Sequence, residues 1–170
     1  KGSRGVGKTT LLLQYAKEHY RENDRRCLYI NLNHFYFTEC SLSNFCNNFI
    51  EQGGETLLLD QVFKYPNWSQ ELRKCYDLFP TLKVVFTGSS VMKLKKTNPY
   101  IGNITHSYNL QGFSFREYLG VMTQSEFPAY PVEEIFDNYP TLIRDIEKDI
   151  AIEPHFSNYI HHGYYPFFLE

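Results

Sequence analysis

Short apolar runs alternate along the chain with stretches of helical spacing, and this alternation is the signature of an α/β fold. Cys27 to Leu32 (CLYINL) reads as a strand, and Thr56 to Leu59 as a fully apolar, buried one ending in Asp60. Lys83 to Phe86 is a second buried strand that runs into Thr87-Gly88-Ser89-Ser90, and Ser107 to Leu110 is a weaker candidate. Helical spacing fits Thr10 to Tyr20, where Leu11, Leu12, Tyr15 and His19 recur on one face. It also fits Leu42 to Ile50, capped by Ser41 and stopped at Gly53-Gly54, and Trp68 to Phe79, closed by Pro80. From Phe115 onward the pattern is helical, with breaks expected at Pro131, Pro140, Pro154 and Pro166. The aromatic end, Tyr164, Tyr165, Phe167 and Phe168, is too apolar to be left bare, and either the α/β core or a following domain could cover it; packing against the core through Phe156 and Tyr159 is expected, with Phe167 and Phe168 leading into that domain.

The first nine residues, KGSRGVGKT, fit G-x-x-x-x-G-K-[ST], with Gly2, Gly7, Lys8 and Thr9 in the fixed places. Small residues are needed there because successive backbone N–H groups must wrap closely around phosphate oxygens and open into a helix N-terminus. Gly2, Ser3, Arg4, Gly5, Val6, Gly7, Lys8, Thr9 and Thr10 are therefore the candidate nucleotide-binding residues. Lys8 would reach the β- and γ-phosphates, and the Thr9 hydroxyl would ligate Mg²⁺. Such a loop follows a strand, yet only Lys1 precedes Gly2. The strand that aims it is expected upstream of this sequence, and the chain reads as a segment of a longer protein.

Asp60 ends a buried strand, where α/β sheets place their ligands. Apolar residues followed by Asp, downstream of a phosphate loop, form the second half of a nucleotide site, with the Asp holding Mg²⁺ through its water shell. The other reading of Asp60 is a cap on the following turn. Hydrolysing ATPases of the additional-strand type usually carry a Glu next, as general base. Here it is Gln61, whose amide can orient a water but cannot take up its proton. Thr87 and Ser89 follow the second buried strand, where a polar residue often contacts the γ-phosphate or the attacking water; a plain Thr-Gly-Ser turn is the competing reading.

Composition adds boundaries. With 170 residues, of which 42% are hydrophobic and 21% charged, the chain can bury a core and is neither disordered nor collagen-like. A net charge of -2 gives no global field to attract nucleic acid, and Lys93, Lys95 and Lys96 read as a solvated face. No apolar run approaches the roughly 20 residues that a bilayer demands. The cysteines at 27, 40, 46 and 75 form no CxxC pair, which suits free thiols in a reducing cytoplasm. His161 and His162 lie beside Gly163 without ligand spacing. No Asn-Lys-x-Asp string occurs, against a guanine-specific GTPase, and no Ser-His-Asp or Cys-His arrangement is readable.

GSRGVGKTTLL from Gly2, LLLDQVFKYPNWSQELR from Leu57, KVVFTGSS from Lys83, QGFSFREYL from Gln111 and HGYYPFFLE from His162 together resemble one family. It is the prokaryotic AAA-type ATPases, in which a P-loop module precedes a winged-helix segment and often a nuclease-like domain. The resemblance implies a P-loop NTPase fold of the additional-strand type. Its parallel sheet would have order 5-1-4-3-2, with helices on both faces and a helical segment after it. It further implies ATP and Mg²⁺ as cofactors, Lys8 and Thr9 as phosphate and Mg²⁺ residues, Asp60 as the Mg²⁺-holding acid, and Ser89 or Thr87 as the first sensor. Two positions depart from the family pattern: Gln61 where Glu is usual, and Asn103-Ile104 where an Arg-Arg pair is usual.

The expectation is therefore a nucleotide-binding core over residues 1–120 and a helical lid or link over 121–170, leading to C-terminal domains of the same chain. Nucleotide state would position those domains, with any nucleic acid reached only through them; no membrane contact is expected, and an oligomer is compatible. Hydrolysis would be weak, with Gln61 and Lys8 the catalytic positions. An active ATPase motor or switch is the alternative. A P-loop small-molecule kinase fits less well, because the segment after Ser90 offers lysines and no Arg before Arg116.

Overall fold

In the computed structural model, residues 1–88, 98–148 and 150–169 are described. They divide into two compact units, Lys1–Gln111 and Gly112–Glu170.

In the first unit the order is helix α1 (Lys8–His19), strand β1 (Cys27–Asn31), helix α2 (Leu42–Glu51), strand β2 (Thr56–Asp60), helix α3 (Trp68–Leu78) and strand β3 (Lys83–Phe86). The strands form a parallel sheet in the order β1-β2-β3. Cys27 pairs with Thr56 and Asn31 with Asp60, while Thr56 pairs with Lys83 and Leu59 with Phe86. β2 is the middle strand, and all five of its residues are buried, which is why it reads as an unbroken apolar run. Side chains alternate between faces of a strand. Leu57 and Leu59 join Leu42, Cys46 and Phe49 of α2 and Leu72 and Cys75 of α3 in one core. Thr56 and Asp60 turn the other way, toward α1: the Thr56 hydroxyl meets that of Tyr20 at 2.7 Å, and Asp60 meets Thr9. Each fully buried leucine contributes roughly 1.5–3 kcal/mol.

Local signals explain the boundaries. Ser41 caps α2, its hydroxyl accepting the Asn44 N–H at 3.2 Å. α1 begins at Lys8, two residues before the apolar periodicity, because Gly7 in the left-handed region (φ 87°) turns the chain directly into the helix. Ser107–Leu110 forms no regular strand, contrary to the sequence expectation. Among the described residues its lateral hydrogen bonds are to Lys1, which takes the Leu110 N–H at 2.7 Å and gives its nitrogen to the Tyr108 carbonyl at 2.6 Å. On its other side the same Lys1–Gly2 stretch donates Gly2 N–H to the Gly88 carbonyl at 3.3 Å.

The second unit contains α4 (Phe115–Thr123), α5 (Val132–Glu147) and α6 (Ile152–Asn158). α4 opens with a capping box: Ser114 Oγ accepts the Glu117 N–H at 3.3 Å, and Glu117 Oε2 accepts the Ser114 N–H at 2.7 Å. These contacts hold the Glu117 carboxyl below its ordinary value, the Ser114 hydroxyl contributing most. Pro140 lies inside α5 rather than ending it. The carbonyl one turn earlier, Phe136, loses its intrahelical donor, but that residue is exposed and water can replace it. Phe156 and Tyr159 pack on Phe115, at ring distances of 5.1 and 5.4 Å. A π-helical turn, Tyr159–Gly163, follows α6; His161 and His162 sit exposed on it, the latter ring 5.1 Å from Phe168.

Candidate functional site

The loop from Gly2 to Gly7 runs into α1 with Gly5 and Gly7 both at positive φ, conformations that side chains other than glycine rarely adopt. Val6 is buried beneath the loop, while Ser3 and Arg4 are exposed. Among the described residues no side chain caps α1, and no acidic residue occupies its first turn. Its first-turn N–H groups and the positive end of the helix dipole make a setting that favours an anion. Lys8 lies back across the loop, its Nζ donating to the Ser3 carbonyl at 2.6 Å. Partial burial lowers the affinity of this ammonium for its proton, and the negative charge of Asp60 opposes that effect. Thr10 is exposed on the first turn.

Opposite the loop stands Asp60, at the carboxyl end of β2 and only 2% exposed. A buried carboxylate needs donors. Thr9 Oγ1 and the Tyr29 hydroxyl donate to Oδ2 at 2.7 and 3.0 Å. Oδ1 accepts the Gln61 N–H at 3.0 Å and the Thr87 hydroxyl in a short hydrogen bond. Gln61 adopts a left-handed conformation (φ 55°) that lets its N–H reach both Asp60 and Thr87 Oγ1, the latter at 3.2 Å. The backbone of Thr87 is held as well, its N–H on the Leu59 carbonyl at 2.9 Å.

The residues singled out from sequence thus converge: loop, Lys8, Thr9, Asp60, Gln61 and Thr87 meet at one end of the sheet. Thr87, read above as a contact to the γ-phosphate or the attacking water or else as part of a plain turn, gives its hydroxyl to Asp60. Ser89 and Lys93, Lys95 and Lys96 lie outside the described residues. Asn103 accepts from Arg73 at 3.5 Å and Ile104 packs against the core. Sequence reasoning missed Tyr29. Its available signal was a hydroxyl in the middle of a mostly apolar strand; the register that sets Tyr29 beside Leu58, two residues short of Asp60, was not readable.

Among the described residues no group of three or more His, Cys, Asp or Glu is placed to hold a metal. A cation at this site would have to share its ligands with phosphate and water. The Thr9 hydroxyl beside the Asp60 carboxylate is an oxygen-only donor set, which fits Mg²⁺. Nor, among those residues, is any helix long and apolar enough to cross a membrane.

A phosphate loop feeding a helix, with a buried acid at the end of the adjoining parallel strands, defines a nucleotide-binding P-loop α/β module. The family comparison agrees, for the model described as "AAA domain" matches residues 1–119. The chain belongs to that AAA family, and its first unit is a nucleotide-binding, ATPase-like module. No curated protein and no solved structure matches the chain.

Proposed function

We propose that this chain is an ATP·Mg²⁺-binding AAA module that hydrolyses its nucleotide slowly, and whose nucleotide state positions the domains that follow it. The observation that carries the reading is the hydrogen bond from Thr9 of the phosphate loop to Asp60, which joins the two halves of the site. Thr9, phosphate oxygens and waters held by Asp60 would keep Mg²⁺, which would neutralise phosphate charge. Lys8 would turn from Ser3 to the β- and γ-phosphates. Slow turnover follows from Gln61, since an amide orients water without accepting its proton.

The same reading assigns residues 1–120 to the nucleotide-binding core and 121–170 to a lid or link, in a cytoplasmic protein. It takes the sheet order to be 5-1-4-3-2. Hydrogen bonds from Gly2 to Gly88 and from Leu110 to Lys1 support this, since they set the residues before the loop between β3 and the 107–110 segment. A strand entering from upstream would then flank the cavity of about 460 Å³ that opens beside Lys8, Leu11 and Val84.

An active ATPase is the second reading, favoured by the Gln61 backbone being pinned to Asp60 and Thr87, which fixes the root of the amide. Single-turnover hydrolysis of radiolabelled ATP by the parent and by Gln61→Glu separates the two. The proposal expects the parent below about 1 s⁻¹ and the variant faster by up to roughly 10²- to 10⁴-fold. A parent at or above that rate establishes the second reading.

A further inference from the structure

We infer that Tyr29 is a positioning residue for the cation site: its hydroxyl fixes the orientation of the Asp60 carboxylate on which the Mg²⁺-dependent part of nucleotide binding depends. The inference rests on the nucleotide-binding reading above and concerns a residue that no motif marks.

The two oxygens of Asp60 are held differently. Oδ1 is tied by the Thr87 hydroxyl and the Gln61 N–H, both belonging to chain segments that leave the sheet at this end. Oδ2 takes the hydroxyls of Thr9 and Tyr29. Thr9 is the residue whose oxygen a cation would use, so its hydroxyl must serve the metal as well as the carboxylate. Tyr29 has no such second duty. It extends from β1, whose parallel register with β2 brings it to the α1 side of the sheet with Leu58 and Asp60. It therefore keeps Oδ2 aimed when Thr9 is engaged elsewhere.

The sheet supplies a matched control. The Tyr20 hydroxyl bonds Thr56 Oγ1 at 2.7 Å, at the opposite end of β2. Tyr29→Phe and Tyr20→Phe each remove one oxygen and leave the ring, so a purely structural role predicts that they behave alike.

The experiment titrates ATP into the protein by calorimetry at a series of Mg²⁺ concentrations and again in EDTA, for the parent, Tyr29→Phe and Tyr20→Phe. Thermal unfolding is followed on the same samples. The expected result is that Tyr29→Phe raises the half-saturating Mg²⁺ concentration by about tenfold, the scale of a hydrogen bond to a charged group. Affinity in EDTA should stay at the parent value, because Lys8 and the loop backbone are untouched. Tyr20→Phe should match the parent in both. Equal Mg²⁺ dependence in Tyr29→Phe and the parent overturns the inference. An equal shift in Tyr20→Phe, or a loss in EDTA as large as that in Mg²⁺, also overturns it by reducing Tyr29 to a structural role. A parent that binds ATP without responding to Mg²⁺ overturns the inference alone; a parent that binds no ATP under either condition overturns the nucleotide reading itself.

Discussion

β2 and α5 are both strongly patterned, yet every residue of β2 is buried and none of the sixteen residues of α5 is. β2 has a paired strand on each side and helices over its faces, so its leucines lose water completely. α5 carries Val132, Ile135, Phe136, Tyr139 and Ile143 on a spacing that would suit a partner, and all five are exposed. Periodicity therefore specifies the element and not its burial, which depends on what the rest of the chain can lay against it. The polar groups show the same division. In the first unit the buried acid Asp60 is fully partnered by Thr9, Tyr29, Gln61 and Thr87. In the second, the buried Tyr118 hydroxyl has no partner among the described residues. The first arrangement is organised to hold charge, whereas the second is a packing arrangement of rings around α4.

The sharpest way to break this contrast is to truncate one side chain in each element. Leu58→Ala, at 0% exposure, should cost about 2–5 kcal/mol, and Ile143→Ala, at 46%, less than about 0.5 kcal/mol. Urea unfolding of the two variants beside the parent measures both. Equal losses would mean that α5 is covered in solution and that the contrast is false.

A smaller effect tests the polar half. Tyr118→Phe removes a buried hydroxyl that makes no hydrogen bond, so it should leave stability unchanged or raise it by about 1 kcal/mol. The same denaturation experiment reads it. A loss of more than about 1 kcal/mol would reveal a partner for that hydroxyl and make the two units alike in polar satisfaction.

What the sequence made legible were features written within a few consecutive residues. The loop from Gly2 to Thr9, the apolar run ending at Asp60 and the Ser41 cap each need only neighbours in the chain, and each folds as its residues indicate. Features set by distant chain segments were not legible. Tyr29 reaches Asp60 only through the parallel register of β1 and β2, and Thr87 turns its hydroxyl to Asp60 because β3 delivers it there. Ser107–Leu110 has strand-like residues, but whether they pair is decided by chain segments far away in sequence, and among the described residues they hydrogen-bond laterally to Lys1. Pro140 carries a breaker's signal, yet the exposed backbone one turn before it absorbs the lost hydrogen bond.

The central claim, that the loop and Asp60 form one nucleotide site, is tested most directly by titrating ATP·Mg²⁺ into the parent and into Lys8→Ala by calorimetry. Lys8 lies across the loop with its Nζ on the Ser3 carbonyl, and a charge-assisted contact to phosphate is worth about 1.5–3 kcal/mol. The account predicts saturable, one-to-one binding by the parent and an affinity at least about tenfold weaker in Lys8→Ala. Lys8→Ala binding ATP·Mg²⁺ as tightly as the parent would contradict it.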